Sequence, residues 1–438
     1  AARHLAADGW QVKLRLSHPR DKLSPLTLAK LIQLGNLTEI ADAPPDAGPG
    51  ALVVLDALLG TGARPGLADP YLALCREINQ LREHGHARVF ALDLPSGLDS
   101  DSGQCDPDAV VADFTLTIGL PKSGLFGDDA TAVVGRIALA PLAGAVAGHE
   151  QTFGVENTSF FMATSEVLRS LLPGRSSDSH KGEFGRLGIV AGAPGMTGAA
   201  ALAATAAVRS GAGLVELLAS RESHATLASL CPPEVMVRQV DDPAAAALDA
   251  RFDALAIGPG LGRRHDHCVR TIVRDSPAPC VIDADALNAL AEDTAILHDC
   301  RGPRLLTPHP GEMRRLADCA DKVRWQIVGD FVREFPVTLL LKGARTLVGQ
   351  HDLPTCANPS GSPALATGGS GDCLTGICGG LLAQRLQPYP AACLAAWLHG
   401  RAAEIALAAD GQSPESFAAS DIPRALGRAF HGLKQLDF

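Results

Sequence analysis

The chain has 438 residues, a formal net charge of −10, 46% hydrophobic residues and only 4% aromatics. At about 100–200 residues per domain this length sets an expectation of two or three domains. Acidity and scarce aromatic rings exclude a non-specific nucleic-acid binder, which needs basic charge and stacking surfaces. An anionic small ligand stays open, because glycine loops and helix N-termini hold phosphates without net charge.

The opening AARHLAADGWQV reads as the inside of a helix running toward a strand, so the chain is expected to lack its true start. No signal peptide is visible in these residues, and no run of 18 apolar residues that would span a membrane is expected. ALVVLDALLGTG (51–62) and ARVFALDLPSG (87–97) follow, each an apolar run that closes on an aspartate and leads into a glycine loop. Asp56 and Asp93 at these ends outline one polar site; the competing reading makes them helix caps with turn glycines. Lys122 in TIGLPKSGL admits two readings, positive charge supplied to this site or a surface lysine, and the second is favoured. Between about Leu142 and Ser179 the strand–helix rhythm is lost, which marks a domain boundary. There ATSEVLRSLLPGRSSDSHKGEFG reads as a short helix, a Pro-Gly stop and a polar loop.

The second half resumes the rhythm with RLGIVAGAPGMTGAAALAATAAV (186–208), FDALAIGPGLG (252–262), PCVIDADALNAL (279–290), RLLTPHPGEMRRL (304–316) and VTLLLKGARTLV (337–348). Continuous apolar runs fit strands buried on both faces of a parallel sheet, and their alternation with helices implies βαβ units. Ligands of such sheets bind outside the carboxyl ends of the strands, where nearly all the notable polar residues fall. HDH (265–267) is expected to be an exposed charged loop. Eleven scattered cysteines without a C-x-x-C pair read as reduced thiols of a cytoplasmic protein, not as a zinc site.

The richest segment is ATGGSGDCLTG (366–376), before the apolar run ICGGLLAQRL. Its glycines let backbone N–H groups converge at a helix start, which adds about half a positive charge there. Such a cradle stabilises a transferring phosphoryl group, and Asp372 would take a proton from an attacking hydroxyl. The alternative is an acidic first-turn cap. Lys342–Thr346, Gly258–Gly262 and His309 each admit a binding role or an ordinary structural one. Asp283 and Asp285 fit either a magnesium–phosphate site or helix caps. There is no G-x-x-x-x-G-K-[ST] and no G-x-S-x-G, and GAPGMTGA lacks the spacing of a dinucleotide fingerprint.

As a set, HKGEFGRLGIVAGAPGMTGAA, GPGLG, DADALN, TPHPGE, LKGART, NPSGSPALATGGSGD and LHGRAAE resemble the dehydratase domain of the bifunctional NAD(P)H-hydrate repair enzymes, from about Ser165 onward. VLDALLGTG, DLPSGLD and PKSGL resemble the epimerase domain of the same family, over about Ala1–Ala145. The resemblance implies two three-layer α/β/α domains: a Rossmann-like unit at 1–150 lacking its N-terminal part, and a ribokinase-like unit at 160–438. It implies ADP-dependent dehydration of (6S)-NAD(P)HX to NAD(P)H, with AMP and phosphate released, beside epimerisation of the R and S forms. Asp372 is then the catalytic base. Lys342, Gly343, Ala344, Arg345, Thr346, Gly369, Ser370 and Gly371 bind the nucleotide; Ala199, Gly260, Gly262 and His309 bind the hydrate with Asp372. In the epimerase-like domain Gly60, Thr61, Gly62, Ala63, Arg64, Pro65, Gly66 and Asp93 bind the hydrate, and Asp56 and Ser96 hold potassium. Magnesium is implied with the nucleotide. The expected assembly is a homo-oligomer without nucleic-acid or membrane partners. The N-N-G-G-D loop that the family carries just before the helix with which this chain opens is absent here, which implies little epimerisation by this chain. Ser362 stands where the family commonly has Asn. A ribokinase-like kinase of a vitamin-type alcohol such as hydroxymethylpyrimidine shares the cradle and base, but not TPHPGE or an epimerase-like partner. A non-catalytic nucleotide-binding scaffold would not need Asp372.

Overall fold

A computed structural model describes residues 1–35, 38–41, 43, 52–142, 159–249, 251–409 and 412–434. The chain divides into two compact α/β units, Ala1–Val146 and Ala147–Phe438. The stretch 143–158, where the sequence loses its rhythm, lies outside the described residues.

In the smaller unit the opening segment is a helix, Ala2–Ala7, leading to strand β1, Lys13–Leu14, which pairs in parallel with β2, Glu39–Ile40. Four further strands form a parallel sheet in chain order: β3 (Val53–Asp56), β4 (Arg88–Leu92), β5 (Phe114–Ile118) and β6 (Arg136–Ala140). The helix Tyr71–His84 makes the β3–β4 crossover. A small core of Cys75, Val89, Ala91, Val110 and Ala112 lies beneath it.

The larger unit is built on a sheet of ten described strands. In chain order they are β7 (Phe160–Met162), β8 (Arg186–Val190), β9 (Leu214–Ala219), β10 (Val235–Gln239), β11 (Ala254–Ile257), β12 (Cys280–Ile282), β13 (Arg304–Leu306), β14 (Thr338–Leu341), β15 (Leu347–Gln350) and β16 (Thr355–Ala357). Their order across the sheet is β10-β9-β8-β11-β12-β13-β14-β15-β16-β7. All pairings are parallel except β14–β15 and β15–β16. The strands from β8 to β14 in this order are neighbours pointing the same way, so the loops after them share one edge. The central strands are buried on both faces, as their unbroken apolar runs require. Eight of the helices fall into two sets that pack within themselves: Thr197–Arg209, Ser370–Ala383, Pro388–Ala409 and Asp421–Lys434 in one, Pro243–Ala247, Asp266–Asp275, Ala284–Leu290 and Pro310–Leu316 in the other.

Three expectations need correction. VTLLLKGARTLV is a hairpin, and Lys342–Thr346 is its turn, because β15 returns antiparallel instead of a helix following. Phe160–Met162 is an edge strand within the segment read as boundary. HDH belongs to a 3₁₀ turn and the first turn of Asp266–Asp275, with Asp266 paired to Arg263 at 2.9 Å. Among the described residues no helix is long and apolar enough to cross a membrane, and the eleven cysteines are free.

The glycines after Asp372 have a packing reason. A Cβ on Gly376 would lie 2.0 Å from the Ala203 carbonyl oxygen, and one on Gly380 would lie 2.1 Å from Ser210 Oγ. Helix Ser370–Ala383 therefore packs almost backbone to backbone on the alanine-rich helix Thr197–Arg209. On another face a Cβ on Gly379 would come within 3.0 Å of Leu187. Gly376→Ala is expected to destabilise by about 1–3 kcal/mol, since a backbone contact cannot rotate away. Gly427→Ala, in an exposed helix position with nothing within 4 Å, should instead stabilise by about 0.5–1 kcal/mol. Urea unfolding of the two variants checks both signs.

Candidate functional site

Five loops meet at the shared carboxyl edge. After β8 and β11 come Gly192 and the turn Gly258–Gly262, laced together by Gly192 N to Pro259 O at 3.0 Å and Ala193 N to Gly260 O at 2.7 Å. Gly258, Gly260 and Gly262 have φ of 124°, 55° and 71°, which side-chain-bearing residues rarely adopt. Gly260 could carry no Cβ, which would lie 2.7 Å from Met196 O and 3.1 Å from Ala199 Cβ. The three hydrate-binding candidates Ala199, Gly260 and Gly262 are thus one surface. Asp285 Oδ2 accepts from Gly262 N at 2.8 Å and fixes this turn.

β12 delivers Asp283, which is 1% exposed. It stands at the N-cap of Ala284–Leu290, yet its side chain makes no capping bond. Oδ1 accepts from Lys342 Nζ at 2.7 Å and Oδ2 from Thr375 Oγ1 at 2.6 Å. Lys342, expected on its own to be a solvated strand-end lysine, is 19% exposed and also lies 3.6 Å from Glu312. Burial opposes its charge, but Asp283 and Glu312 outweigh that and hold its pKa above the usual lysine value. Of the hairpin turn, Gly343 and Ala344 face solvent. Thr346 Oγ1 closes the turn onto Gly343 O at 3.2 Å. Arg345 turns inward, with burial and the nearby Arg324 lowering its pKa to about 10.

After β13, His309 caps helix Pro310–Leu316. Its Nδ1 accepts from Gly311 N at 2.9 Å and Glu312 N at 3.3 Å, while Glu312 Oε2 accepts from His309 N at 2.8 Å. The structural reading of this histidine therefore holds. Its ring stays half exposed, with Nε2 3.5 Å from Glu312 Oε1, so a ligand can still meet it.

The cradle is the N-terminus of Ser370–Ala383. Gly369 is the N-cap at φ 91°, and a Cβ on the preceding Gly368 would meet nothing within 4 Å. A Cβ on Gly371 would lie 3.5 Å from Lys342 Nζ and 3.8 Å from Asp283 Oδ2, which places this glycine beside the Lys342–Asp283 pair. Asp372 stands in the first turn of this helix, where a negative charge also suits the helix dipole. Burial, then the Asp283 charge, raises its pKa to about 6 against the opposing pull of Lys342. A carboxylate poised there accepts a proton readily near neutral pH. Ser362, in the neighbouring loop, only caps a 3₁₀ turn, accepting from Ala364 N at 3.3 Å.

In the smaller unit Asp56 is buried and also caps no helix. Oδ1 accepts from Ser96 Oγ at 2.7 Å and Leu58 N at 3.2 Å, and Oδ2 from Ser96 N at 2.7 Å. Asp93, at φ 77°, ion-pairs with Lys122. Lys122 is 17% exposed, so its expected place on the surface is wrong; Asp93 and the Ile118 carbonyl hold it in. The loop Gly60–Gly66 is open, with no atom within 4 Å of a Cβ on Gly60, Gly62 or Gly66. Asp106 Oδ2 anchors its end through Gly66 N and Leu67 N, and Arg64 pairs with Asp99 and Asp101. Thr61 is tied by Ser100 Oγ to its carbonyl at 3.2 Å; Ala63 and Pro65 complete the loop.

Sequence reasoning missed Thr375, Glu312 and His399 as parts of the larger site. Thr375 stands one helical turn beyond Gly371, a spacing that would have put it under the cradle.

A profile of the NAD(P)H-hydrate dehydratase family matches residues 187–424, and one described as YjeF-related protein N-terminus matches residues 1–124. The chain is 40% identical over 377 residues to a bifunctional NAD(P)H-hydrate repair enzyme of Moorella thermoacetica, covering 82% of this chain and 69% of that one. It is 36% identical over 426 residues to the Coxiella burnetii enzyme of the same name, covering 94% and 83%. Among solved structures, an ADP/ATP-dependent NAD(P)H-hydrate dehydratase of Bacillus subtilis, crystallised with ATP and Mg²⁺, aligns with a TM-score of 0.54 and 32% identity over 64% of this chain and all of that one. A ribokinase-like superfamily protein of Enterococcus faecalis aligns with a TM-score of 0.55 and 25% identity over 64% of this chain and 99% of its own. A glycine turn at a helix N-terminus, a carboxylate of raised pKa and a buried lysine thus stand on a fold shared with these proteins, and the chain belongs to the family of bifunctional NAD(P)H-hydrate repair enzymes.

Proposed function

We propose that the larger unit, residues 160–438, dehydrates (6S)-NAD(P)HX at the expense of ADP, and that residues 1–150 form the epimerase-like domain. The observation that carries this reading is Asp372, poised near pH 6 beside the Gly369–Gly371 cradle and the Lys342–Asp283 pair. The nucleotide lies along Lys342–Thr346 with its terminal phosphoryl group at Gly369–Gly371. The hydrate lies against Ala199, Gly260, Gly262 and His309, its hydroxyl toward Asp372. Asp372 takes the hydroxyl proton as that oxygen attacks the phosphorus and AMP leaves. The ring nitrogen lone pair then expels phosphate, and loss of a ring proton restores the double bond of the dihydronicotinamide. The kinase alternative is not favoured, because relatives at 35–40% identity are repair enzymes.

Magnesium suits this rim as an ion carried in on the phosphates. Asp285 Oδ1 receives only a 3.5 Å bond from Asn288 and is the carboxylate that would face it. The ion would neutralise phosphate charge there. Potassium suits Asp56 and Ser96, because burial raises the Asp56 pKa and leaves that carboxylate short of positive charge. Eleven free thiols favour a cytoplasmic setting.

Incubation with (6S)-NADHX, ADP and magnesium should regenerate the reduced-nicotinamide absorbance; phosphorylation of a vitamin-type alcohol with no such recovery would sink the reading. Asp372→Asn should bind ADP and lose about 10²–10⁴-fold in turnover. The same variant should gain stability above pH 6. The Asp372 pKa is raised in the folded state, so its protonated form favours folding, and that contribution is lost as pH rises from about 4 through about 6. The expected gain at pH 7.5 is about 1–3 kcal/mol, vanishing near pH 4, read from urea unfolding. The acid limb of kcat against pH should move oppositely in two charge variants: downward in Asp283→Asn, which removes a negative neighbour, and upward in Lys342→Met. Limbs that stay fixed would mean that Asp372 is not the titrating base.

A further inference from the structure

One buried titratable group has no part in the chemistry described so far. His399 lies in the helix Pro388–Ala409, within its apolar face, and is 9% exposed. Its Nε2 is 2.9 Å from the carbonyl oxygen of Ser370. Burial, against the opposing pull of that carbonyl, lowers its pKa to about 4, so the ring is neutral near neutral pH. A carbonyl oxygen only accepts, so the ring proton sits on Nε2.

Ser370 is the first residue of the cradle helix. Its carbonyl and the N–H of Gly371 belong to one planar trans peptide and point in opposite directions. A donor on the carbonyl fixes the direction of that N–H and, by polarising the peptide, makes it a stronger donor. The same helix grips the chain leading to the cradle. Asn358 Nδ2 donates to Ala396 O at 3.1 Å and Ser360 Oγ to Trp397 O at 3.0 Å. Gly361 N donates to Glu404 Oε1 at 2.9 Å. Gly400 leaves room for Ser360, whose Oγ would lie 2.3 Å from a Cβ there. Ser370 Oγ in turn donates to Leu365 O at 2.8 Å. These other contacts fasten the loop; His399 alone among them reaches the peptide that carries a cradle amide.

We infer that His399 is a positioning residue for phosphoryl transfer: its Nε2–H, donated to the Ser370 carbonyl, orients and polarises the Ser370–Gly371 peptide so that the Gly371 N–H meets the charge developing on the transferring phosphoryl group. This rests on the cradle reading of Gly369–Gly371. It acts on the transition state more than on the bound nucleotide, because charge at the phosphoryl oxygens changes during transfer.

Two amide variants separate this role from packing. Gln places its amide nitrogen near the position of Nε2 and keeps the donor. Asn places it near Nδ1 and cannot reach Ser370. In His399→Asn, kcat should fall about 10–100-fold, less than the 10²–10³ of a donor removed outright, with KM for ADP and hydrate within about threefold. His399→Gln should recover most of that loss, and both variants should unfold at similar temperatures. Equal kcat in the two variants, or a loss that follows KM or the unfolding temperature, would overturn the inference. A readout independent of the hydrate is the Gly371 amide ¹⁵N–¹H resonance in glycine-labelled protein: it should shift in His399→Asn and hold its wild-type position in His399→Gln. If wild-type protein fails to turn over the hydrate, the proposed function falls and this resonance decides the inference alone, an unshifted signal in His399→Asn refuting it.

Discussion

One buried carboxylate fixes the geometry of the larger site. Asp283 stands at the end of β12 between a lysine from the β14–β15 hairpin and a threonine from the cradle helix, with each of its oxygens committed to one of them. A charge this deep is tolerable only when paired and hydrogen-bonded, and removing one partner leaves the other exposed to the full desolvation cost. The hairpin turn and the glycine cradle therefore cannot drift apart independently. The same carboxylate is the strongest charged influence raising the proton affinity of Asp372. Position and reactivity are set by one group.

The cradle helix is held as firmly from behind. Gly376 and Gly380 let it approach the alanine-rich helix at backbone distance, and Gly379 lets it settle on the sheet. Glycines normally weaken a helix interior by about 0.5–1 kcal/mol each; here they permit a close approach that no larger residue allows. Rigidity at the rear leaves the N-terminal amides aimed at a fixed point, which electrostatic stabilisation of a moving charge requires.

Much of this was legible in the amino-acid sequence, for a local reason. Apolar runs ending in Asp, His, Lys or Gly mark strand ends, and a parallel sheet gathers those ends on one edge. The family-specific segments then named the chemistry. What was not legible depends on partners distant in the chain. That LKGART turns back as a hairpin is settled by β15 pairing with β14, not by its own composition. Lys122 reads as a surface residue until Asp93, 29 positions away, draws it inward. His399 sits in an apolar helix and resembles a core histidine; only its bond to Ser370 gives it a task. Phe160–Met162 is too short to announce itself by periodicity.

That short edge strand sets a constraint on how the larger unit is assembled. β7 is the first strand of the sheet in the chain, yet its described partner is β16, the last, with Phe160 opposite Thr355. Nearly two hundred residues separate the two. Loop closure over such a span is entropically slow, and contacts of this separation form late. On a ribosome, Phe160–Met162 emerges early and waits, unpaired, until the whole sheet and its hairpin have followed. The edge of the sheet is thus closed by the strand of the unit made first, and a piece of the larger unit that stops short of Thr355–Ala357 leaves Phe160–Met162 without the partner described for it.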